Sequence, residues 1–130
     1  MAYTDRQLAE LRQDLERRRT QLVDEIRDEL SRSGEQRYVD LAGQVADAGE
    51  ASVADLLVDV DNAMAARDIR ELREIEAALE RMAQGDYGEC DACGTQIGFP
   101  RLKANPTATR CITCQTRFER NNPGIGTPSL

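Results

Sequence analysis

The sequence predicts a mainly α-helical protein, in which a long antiparallel helical hairpin (a coiled coil) joins at its base to a small module containing four cysteines. Two apolar series with helical spacing, separated by glycines, predict the hairpin. All four cysteines lie in one C-terminal stretch of the 130-residue chain, and this clustering predicts the module. Charged residues make up 32% of the chain and aromatic residues 4%, a composition that suits long solvated helices better than a thick core.

The first arm begins at a capping box. Thr4 and Gln7 form its T-x-x-Q pattern, in which each side chain satisfies an N–H group at the start of a helix. The apolar residues that follow at steps of three, four or seven are Leu8, Leu11, Leu15, Leu22, Ile26 and Leu30. The run 31–34 interrupts the series and predicts a kink or break at Gly34, because glycine inside a helix costs about 1 kcal/mol relative to alanine. Helical spacing resumes at Tyr38, Leu41 and Val45.

The second arm follows a turn predicted over 43–50, where Gly43 and Gly49 lie. Ser52 and Asp55 form a second capping signature. The apolar series after it consists of Val53, Leu57, Val60, Met64, Leu72, Ile75, Leu79 and Met82. Gly85 stands where a C-terminal glycine cap would end the helix.

The two series mirror each other about a point near residue 45. Leu15 falls opposite Ile75, Leu30 falls opposite Val60, and Arg19 falls opposite Glu71 as a candidate ion pair between the arms. This pattern predicts a hairpin domain over residues 1–85 with its tip near 43–51 and arms about 54 Å long at 1.5 Å per residue. An intermolecular coiled coil would show the same seam and stays open at this point, although the glycines at the midpoint favour the hairpin.

The cysteines form two Cys-x-x-Cys pairs, Cys90 with Cys93 and Cys111 with Cys114, and the chain has no histidine. This spacing is typical of a structural zinc site, because a two-residue gap directs both sulfurs of a turn at one Zn²⁺ about 2.3 Å away. Four thiolates leave no open position on the metal, so one structural Zn²⁺ is expected and not an enzyme. A zinc finger with a short C-terminal helix is predicted over residues 86–120, and a flexible tail over 121–130.

Two other uses of the cysteines are less consistent with the sequence. Two disulfides would need an oxidising compartment, but the N-terminal residues show no apolar signal segment. A redox-active Cys-x-x-Cys usually occurs singly and not as a spaced pair of pairs. A reducing, cytoplasmic setting is therefore expected.

The overall charge and hydropathy exclude two classes of partner. The net charge of −7 argues against direct DNA binding, which needs clustered lysine and arginine to neutralise phosphates. No apolar run approaches the roughly 20 residues needed to span a bilayer, so no membrane association is expected.

One stretch, residues 87–114, carries a resemblance to a known family. Its matching residues are Tyr87, Gly88, Cys90, Cys93, Gly94, Ile97, Arg101, Leu102, Ala104, Pro106, Thr107, Ala108, Cys111, Ile112 and Cys114. In these positions the stretch resembles the zinc finger of the DksA/TraR family. The resemblance implies a transcription regulator that binds bacterial RNA polymerase through its secondary channel, without binding DNA, and acts through acidic residues at the coiled-coil tip.

The resemblance also implies positions for the partner-binding residues. Counted back from Cys90, the family's Asp-x-x-Asp-x-Ala tip motif falls on Asp47, Glu50 and Ser52, so the acidic character persists and a serine replaces the alanine. Ser52 and the acids before it also suit a helix start without any role in binding.

Some family members bind the alarmone guanosine tetraphosphate together with polymerase. The positions used there correspond to Arg67, Glu74 and Gln115 in this chain. Alarmone binding is disfavoured, because one cation remains where several are needed and Glu74 would repel a phosphate.

Two alternative functions stay open from the sequence. One is a coiled-coil interaction protein, held together by zinc, that binds a different partner. The other is a zinc–thiolate redox sensor, which would need exposed thiols of low pKa.

Overall fold

A computed structural model describes residues 3–49, 51–60 and 63–122 of the chain. Within these residues it contains six helices, α1 (Asp5–Ser31), α2 (Gln36–Ala46), α3 (Val53–Leu56), α4 (Ala63–Gln84), α5 (Phe99–Ala104) and α6 (Ile112–Asn121). The mainly helical fold class is confirmed. None of the helices in the described part of the chain is long and apolar enough to cross a bilayer. Glu50, the side chain of Met64 and most of the predicted tail (123–130) lie outside the described residues.

The start and the end of α1 agree with the predictions. Thr4 N–H donates to Gln7 Oε1 and Gln7 N–H donates to Thr4 Oγ1, each over 3.0 Å, so the capping box is confirmed. The helix ends at Ser31, and Gly34 follows with φ +83°, a left-handed conformation that glycine adopts without steric cost. The predicted interruption is therefore a complete break between α1 and α2. The fully buried apolar residues of α1 are Leu11, Leu15, Leu22, Ile26 and Leu30.

The chain divides into two compact units. The helical unit comprises Leu15–Ala77, and the finger unit comprises the residues before it and the residues from 78 onward. The sequence places the boundary at residue 85 instead. The difference arises because the cysteine module packs with the helix ends, as shown by Lys103 Nζ, which lies 2.7 Å from both Glu10 Oε2 and Asp14 Oδ2.

In the helical unit, α1 and α4 are joined by ion pairs. Arg18 Nε lies 2.7 Å from Glu71 Oε2, and Arg19 Nη2 lies 2.9 Å from Glu76 Oε2. The predicted partner of Glu71 was therefore wrong by one residue. Successive residues on an α-helix point about 100° apart, so Arg18 and Arg19 meet different residues of α4.

The chain reverses earlier than the mirror pattern predicts. Gly43 lies inside α2, whose residues Tyr38, Ala42 and Val45 are buried. The main chain then returns to the middle of α1, where Ala51 O accepts a hydrogen bond of 3.2 Å from Arg19 Nη2.

The helical hairpin is therefore confirmed with α1 and α4 as its arms, but the chain does not fold back at a single turn near residue 45. The chain turns at 32–35 and again between α2 and α3, and the arms are the 27 residues of α1 and the 22 residues of α4. The physical reason is burial, because folding back lets α2 and α3 bury an apolar face that a protruding tip would leave in water. The residues of α3 and its end that are buried in this way are Val53, Ala54 and Leu57.

Candidate metal centre and tip residues

The four cysteines converge on one point. The Sγ atoms of Cys90, Cys93, Cys111 and Cys114 all lie within 4.8 Å of one another, and those of Cys93 and Cys111 are 3.8 Å apart. A tetrahedral ion with Zn–S bonds of about 2.3 Å requires sulfurs about 3.8 Å apart. All four thiols are free, whereas a disulfide needs an S–S distance of about 2.0 Å. The residues therefore fit a structural zinc site, and the disulfide alternative is not observed.

The first cysteine pair lies in a tight turn that the local sequence specifies. Cys90 N–H donates to Thr95 O over 2.7 Å, and Gly94 N–H donates to Cys90 O over 2.9 Å. Gly94 has φ +76°, a left-handed conformation that glycine adopts without steric cost. A single antiparallel bridge between Glu89 and Gln96 closes the turn, so Cys90 and Cys93 face the same point.

The second pair is held at the start of a helix. Cys111 is the N-cap of α6, and its Sγ accepts a hydrogen bond from Cys114 N–H at 3.5 Å. Asp91 N–H, in the first turn, donates to Thr109 O over 2.8 Å. A backbone hydrogen bond therefore joins the turn of the first cysteine pair to the segment just before the second pair.

The thiols influence one another's ionisation. Burial opposes ionisation of Cys90, but backbone N–H groups of Cys111, Cys93 and Ala92 outweigh it and lower its pKa to about 6. A hydrogen bond from the Cys114 backbone lowers the pKa of Cys111. The thiol of Cys114, beside those of Cys111 and Cys93, has its pKa raised to about 12. Since zinc binds thiolates, a cation held by this cluster displaces the remaining protons.

Apolar side chains close in sequence to the cysteines are buried or half-buried. Ile97 and Leu102 are fully buried, while Phe99 and Pro106 are half-buried. Tyr87 is also buried, and its hydroxyl donates to Pro106 O over 2.7 Å. Burial raises the pKa of Tyr87, so this hydroxyl stays protonated and keeps donating.

Sequence reasoning missed one residue that supports the finger. Tyr3 is buried, and its hydroxyl donates to Gly88 O over 3.2 Å and contacts Ile97 O. Gly88 has φ +90°, and a Cβ at this position would collide with the Tyr3 ring. The available signal was a tyrosine just before the capping box, but nothing in the sequence names its partner 85 residues away.

The predicted tip residues have different surroundings. Asp47 is exposed and caps the C-terminus of α2. Ser52 is half-buried as the N-cap of α3, where its hydroxyl accepts from Asp55 N–H at 3.2 Å and donates to Glu76 Oε1 at 2.7 Å. The helix-start reading of Ser52 is therefore confirmed. Binding of a partner by Asp47, Glu50 and Ser52 stays a prediction.

Comparison with known proteins identifies the family. Residues 85–120 match the prokaryotic dksA/traR C4-type zinc finger. The solved structure of transcription factor DksA2 from Pseudomonas aeruginosa resembles this chain with a TM-score of 0.61 and 32% identity, covering 90% of this chain and 86% of that one. The chain belongs to the DksA/TraR family. The four cysteines are therefore the metal-binding residues of this family's zinc finger, and their geometry also suits zinc.

Curated relatives match over a shorter region. The RNA polymerase-binding transcription factor DksA of Haemophilus influenzae is 45% identical over 53 residues, which is 41% of this chain and 37% of that protein. The protein of the same name from Escherichia coli K12 is 42% identical over 53 residues, or 41% of this chain and 35% of that protein. The matched region thus spans little more than a third of these relatives.

Proposed function

We propose that this protein is a transcription regulator that binds bacterial RNA polymerase and modulates initiation without binding DNA. The observation that carries the proposal is the similarity to DksA2, a transcription factor, over 86% of its chain. The relatives named as RNA polymerase-binding factors support polymerase as the partner. The proposal places the protein in the cytoplasm, where bacterial transcription takes place.

The chemistry of the chain is consistent with a regulator that contacts protein. A net charge of −7 disfavours binding to the phosphates of DNA, which leaves the polymerase itself as the surface to be recognised. Four thiolates complete the shell of the zinc ion, so the metal stabilises the finger and does not supply a reaction. No enzymatic step is therefore part of this function.

The proposed route is the secondary channel of the polymerase, with the acidic tip residues close to the active site. Asp47 is exposed at the end of α2, where its carboxylate can reach a partner. Carboxylates delivered near a catalytic Mg²⁺ would alter metal and nucleic-acid contacts, because these contacts are electrostatic. We assign Asp47 and Glu50 to this role, while the finger and helices provide binding area.

The proposal is tested by separating binding from regulation. A variant combining Asp47→Ala with Glu50→Ala is compared with the parent in direct binding to core RNA polymerase and in transcription from a sensitive promoter. We expect unchanged zinc content and helix content, similar affinity and a lost transcriptional response. The matched control is Glu16→Ala with Asp24→Ala, which removes two exposed acids of α1 and changes the net charge equally.

Two results would contradict the proposal at different levels. Absence of binding between the zinc-loaded parent and core polymerase at micromolar concentration would reject polymerase as the partner and favour a different protein. Normal regulation by the double-alanine variant would reject the role of the tip acids while leaving the polymerase partner in place.

A further inference from the structure

One carboxylate of the helical unit receives five hydrogen bonds from two other segments of the chain. Glu76 Oε1 accepts from the Ser52 hydroxyl at 2.7 Å and from Ala54 N–H at 3.2 Å. Glu76 Oε2 accepts from Val53 N–H at 3.1 Å and from Arg19 Nε and Nη2 at 3.1 and 2.9 Å. We call Arg19, Glu76 and the segment 51–54 the Glu76 anchor.

The Glu76 anchor supplies hydrogen-bond acceptors and a negative charge at the start of the short helix α3. A helix of four residues cannot satisfy its own first N–H groups, and its positive N-terminal end favours an anion. Glu76 provides both acceptor oxygens from α4, and Arg19 balances its charge while also donating to Ala51 O. The side chains of Arg19 and Glu76 are only 22% and 15% exposed, so these bonds are weakly screened by water.

The apolar pattern of the sequence also fits a different arrangement of the same residues. The apolar series mirror each other about residue 45, a pattern that fits α2 continuing the direction of α1 in a longer hairpin. The structure instead holds the segment after α2 beside Arg19 and Glu76. Gly34, at the break between α1 and α2, has no atom within 4 Å of an added Cβ, so the space around this hinge is open.

We propose that the Glu76 anchor is a releasable contact that keeps α3 and the end of α2 folded against α1 and α4, and that its release lets this region extend. The inference rests on the proposed function in one respect. In the folded form Ser52 of the tip motif is bound to Glu76, so binding of the tip by a partner favours the extended form. The apparent affinity for that partner is therefore the affinity of the extended form multiplied by the fraction of molecules that are extended.

Amide hydrogen exchange tests the anchor in the free, zinc-loaded protein. We expect Glu76→Ala to raise the exchange rates of the Val53 and Ala54 amides at least tenfold, because both lose their acceptor. Amides in the centres of α1 and α4 should keep their protection. Glu71→Ala is the matched control, since it removes the Arg18–Glu71 ion pair between α1 and α4 without touching the segment 51–54.

A second, milder variant tests the anchor in case Glu76→Ala fails to fold. Ser52→Ala removes the serine hydroxyl from the anchor and should raise the same exchange rates by a smaller factor while α1 and α4 stay intact. Unchanged exchange at Val53 and Ala54 in both variants would overturn the anchor, whatever the protein binds.

Binding to RNA polymerase tests the switch. If release accompanies binding, Glu76→Ala should bind core polymerase more tightly than the parent, by up to about tenfold, and Glu71→Ala should bind like the parent. Faster exchange combined with unchanged or weaker polymerase binding would overturn the switch. If the parent itself does not bind polymerase, the proposed function fails and the switch, which was defined by that partner, fails with it. The anchor is still judged by the exchange data alone.

Discussion

The cysteine turns of the finger unit and the helices of the helical unit are positioned over different distances along the chain. In the finger unit the four metal ligands lie between Cys90 and Cys114, and each pair is positioned by hydrogen bonds within a few residues. In the helical unit the decisive polar contacts join residues far apart in sequence, such as Arg18 with Glu71 and Ser52 with Glu76. Two cysteines at a fixed short spacing therefore determine their local geometry. A periodic apolar series, by contrast, is compatible with more than one placement of the helices that carry it.

The largest expected effect is on the finger. Cys111→Ser removes a zinc ligand but keeps a side chain that can cap the start of α6. Structural zinc contributes on the order of 10 kcal/mol to folding in small modules, so the finger should lose its metal and unfold. The measurement is zinc stoichiometry by elemental analysis, with amide exchange to show that residues 15–77 keep their protection. A parent protein with zinc content near zero after purification under reducing conditions would contradict the assignment.

The next effect concerns the apolar seam of the helical unit. Ile75 is 2% exposed, so Ile75→Ala should lower the free energy of unfolding by about 2–5 kcal/mol through lost burial and a cavity. Arg18→Ala is the comparison, because Arg18 and Glu71 are 40% and 37% exposed and such pairs contribute below about 1 kcal/mol. Both values come from urea denaturation of the zinc-loaded protein. Equal loss in the two variants would mean that Ile75 does not lie in a packed seam.

A third prediction tests the contact that the sequence did not reveal. Gly88→Ala introduces a Cβ that collides with the Tyr3 ring at a residue with φ +90°, and it should destabilise the finger unit by at least about 1 kcal/mol. Combining it with Tyr3→Ala should recover the part of the loss that comes from the collision. Thermal unfolding of the single and double variants gives the comparison. If the double variant loses the sum of the two single effects, Tyr3 does not pack on Gly88.

The smallest expected effect is a pH dependence in the helical unit. Burial raises the pKa of Glu29 from 4.5 to about 7, helped by a hydrogen bond with Asp68 and by the charges of Asp68 and Glu25, and opposed by Arg32. Asp28 lies in the same surface depression. Between about pH 4.5 and 7 the folded form holds a proton that the unfolded form has released, so stability falls as pH rises through this window.

Glu29→Gln stays neutral and should remove this dependence. At pH 8 it should be more stable than the parent by about 1 kcal/mol, a value reduced by solvent screening, and the advantage should disappear near pH 4. The measurement is the urea midpoint at each pH, and Glu16→Gln, an exposed acid of the same helix, is the control. A constant difference between variant and parent at all pH values would contradict the raised pKa.

Predictions from the sequence succeeded where a short pattern carries its own geometry. The Thr4–Gln7 capping box, the break after Ser31 and the N-cap at Ser52 all follow from contacts within a few residues. The zinc ligands belong to the same class, since two fixed gaps bring each pair of sulfurs to one side of a turn. The apolar periodicity likewise identified the buried face of α1 except for Leu8. In α4 it identified Leu72 and Ile75, whereas Leu79 and Met82 are half-buried and Ile69 is buried without having been predicted.

The sequence by itself determined the helical class, the zinc ligands and the family. It did not determine where α2 and α3 lie, because their apolar residues satisfy the helical period equally well in an extended hairpin and in a folded one. The tertiary structure decided between these arrangements through Glu76, whose carboxylate caps a helix 23 residues earlier in the chain at Val53. It also placed Tyr3 against Gly88. Both contacts depend on which surfaces meet after the helices pack, and no local spacing encodes that choice.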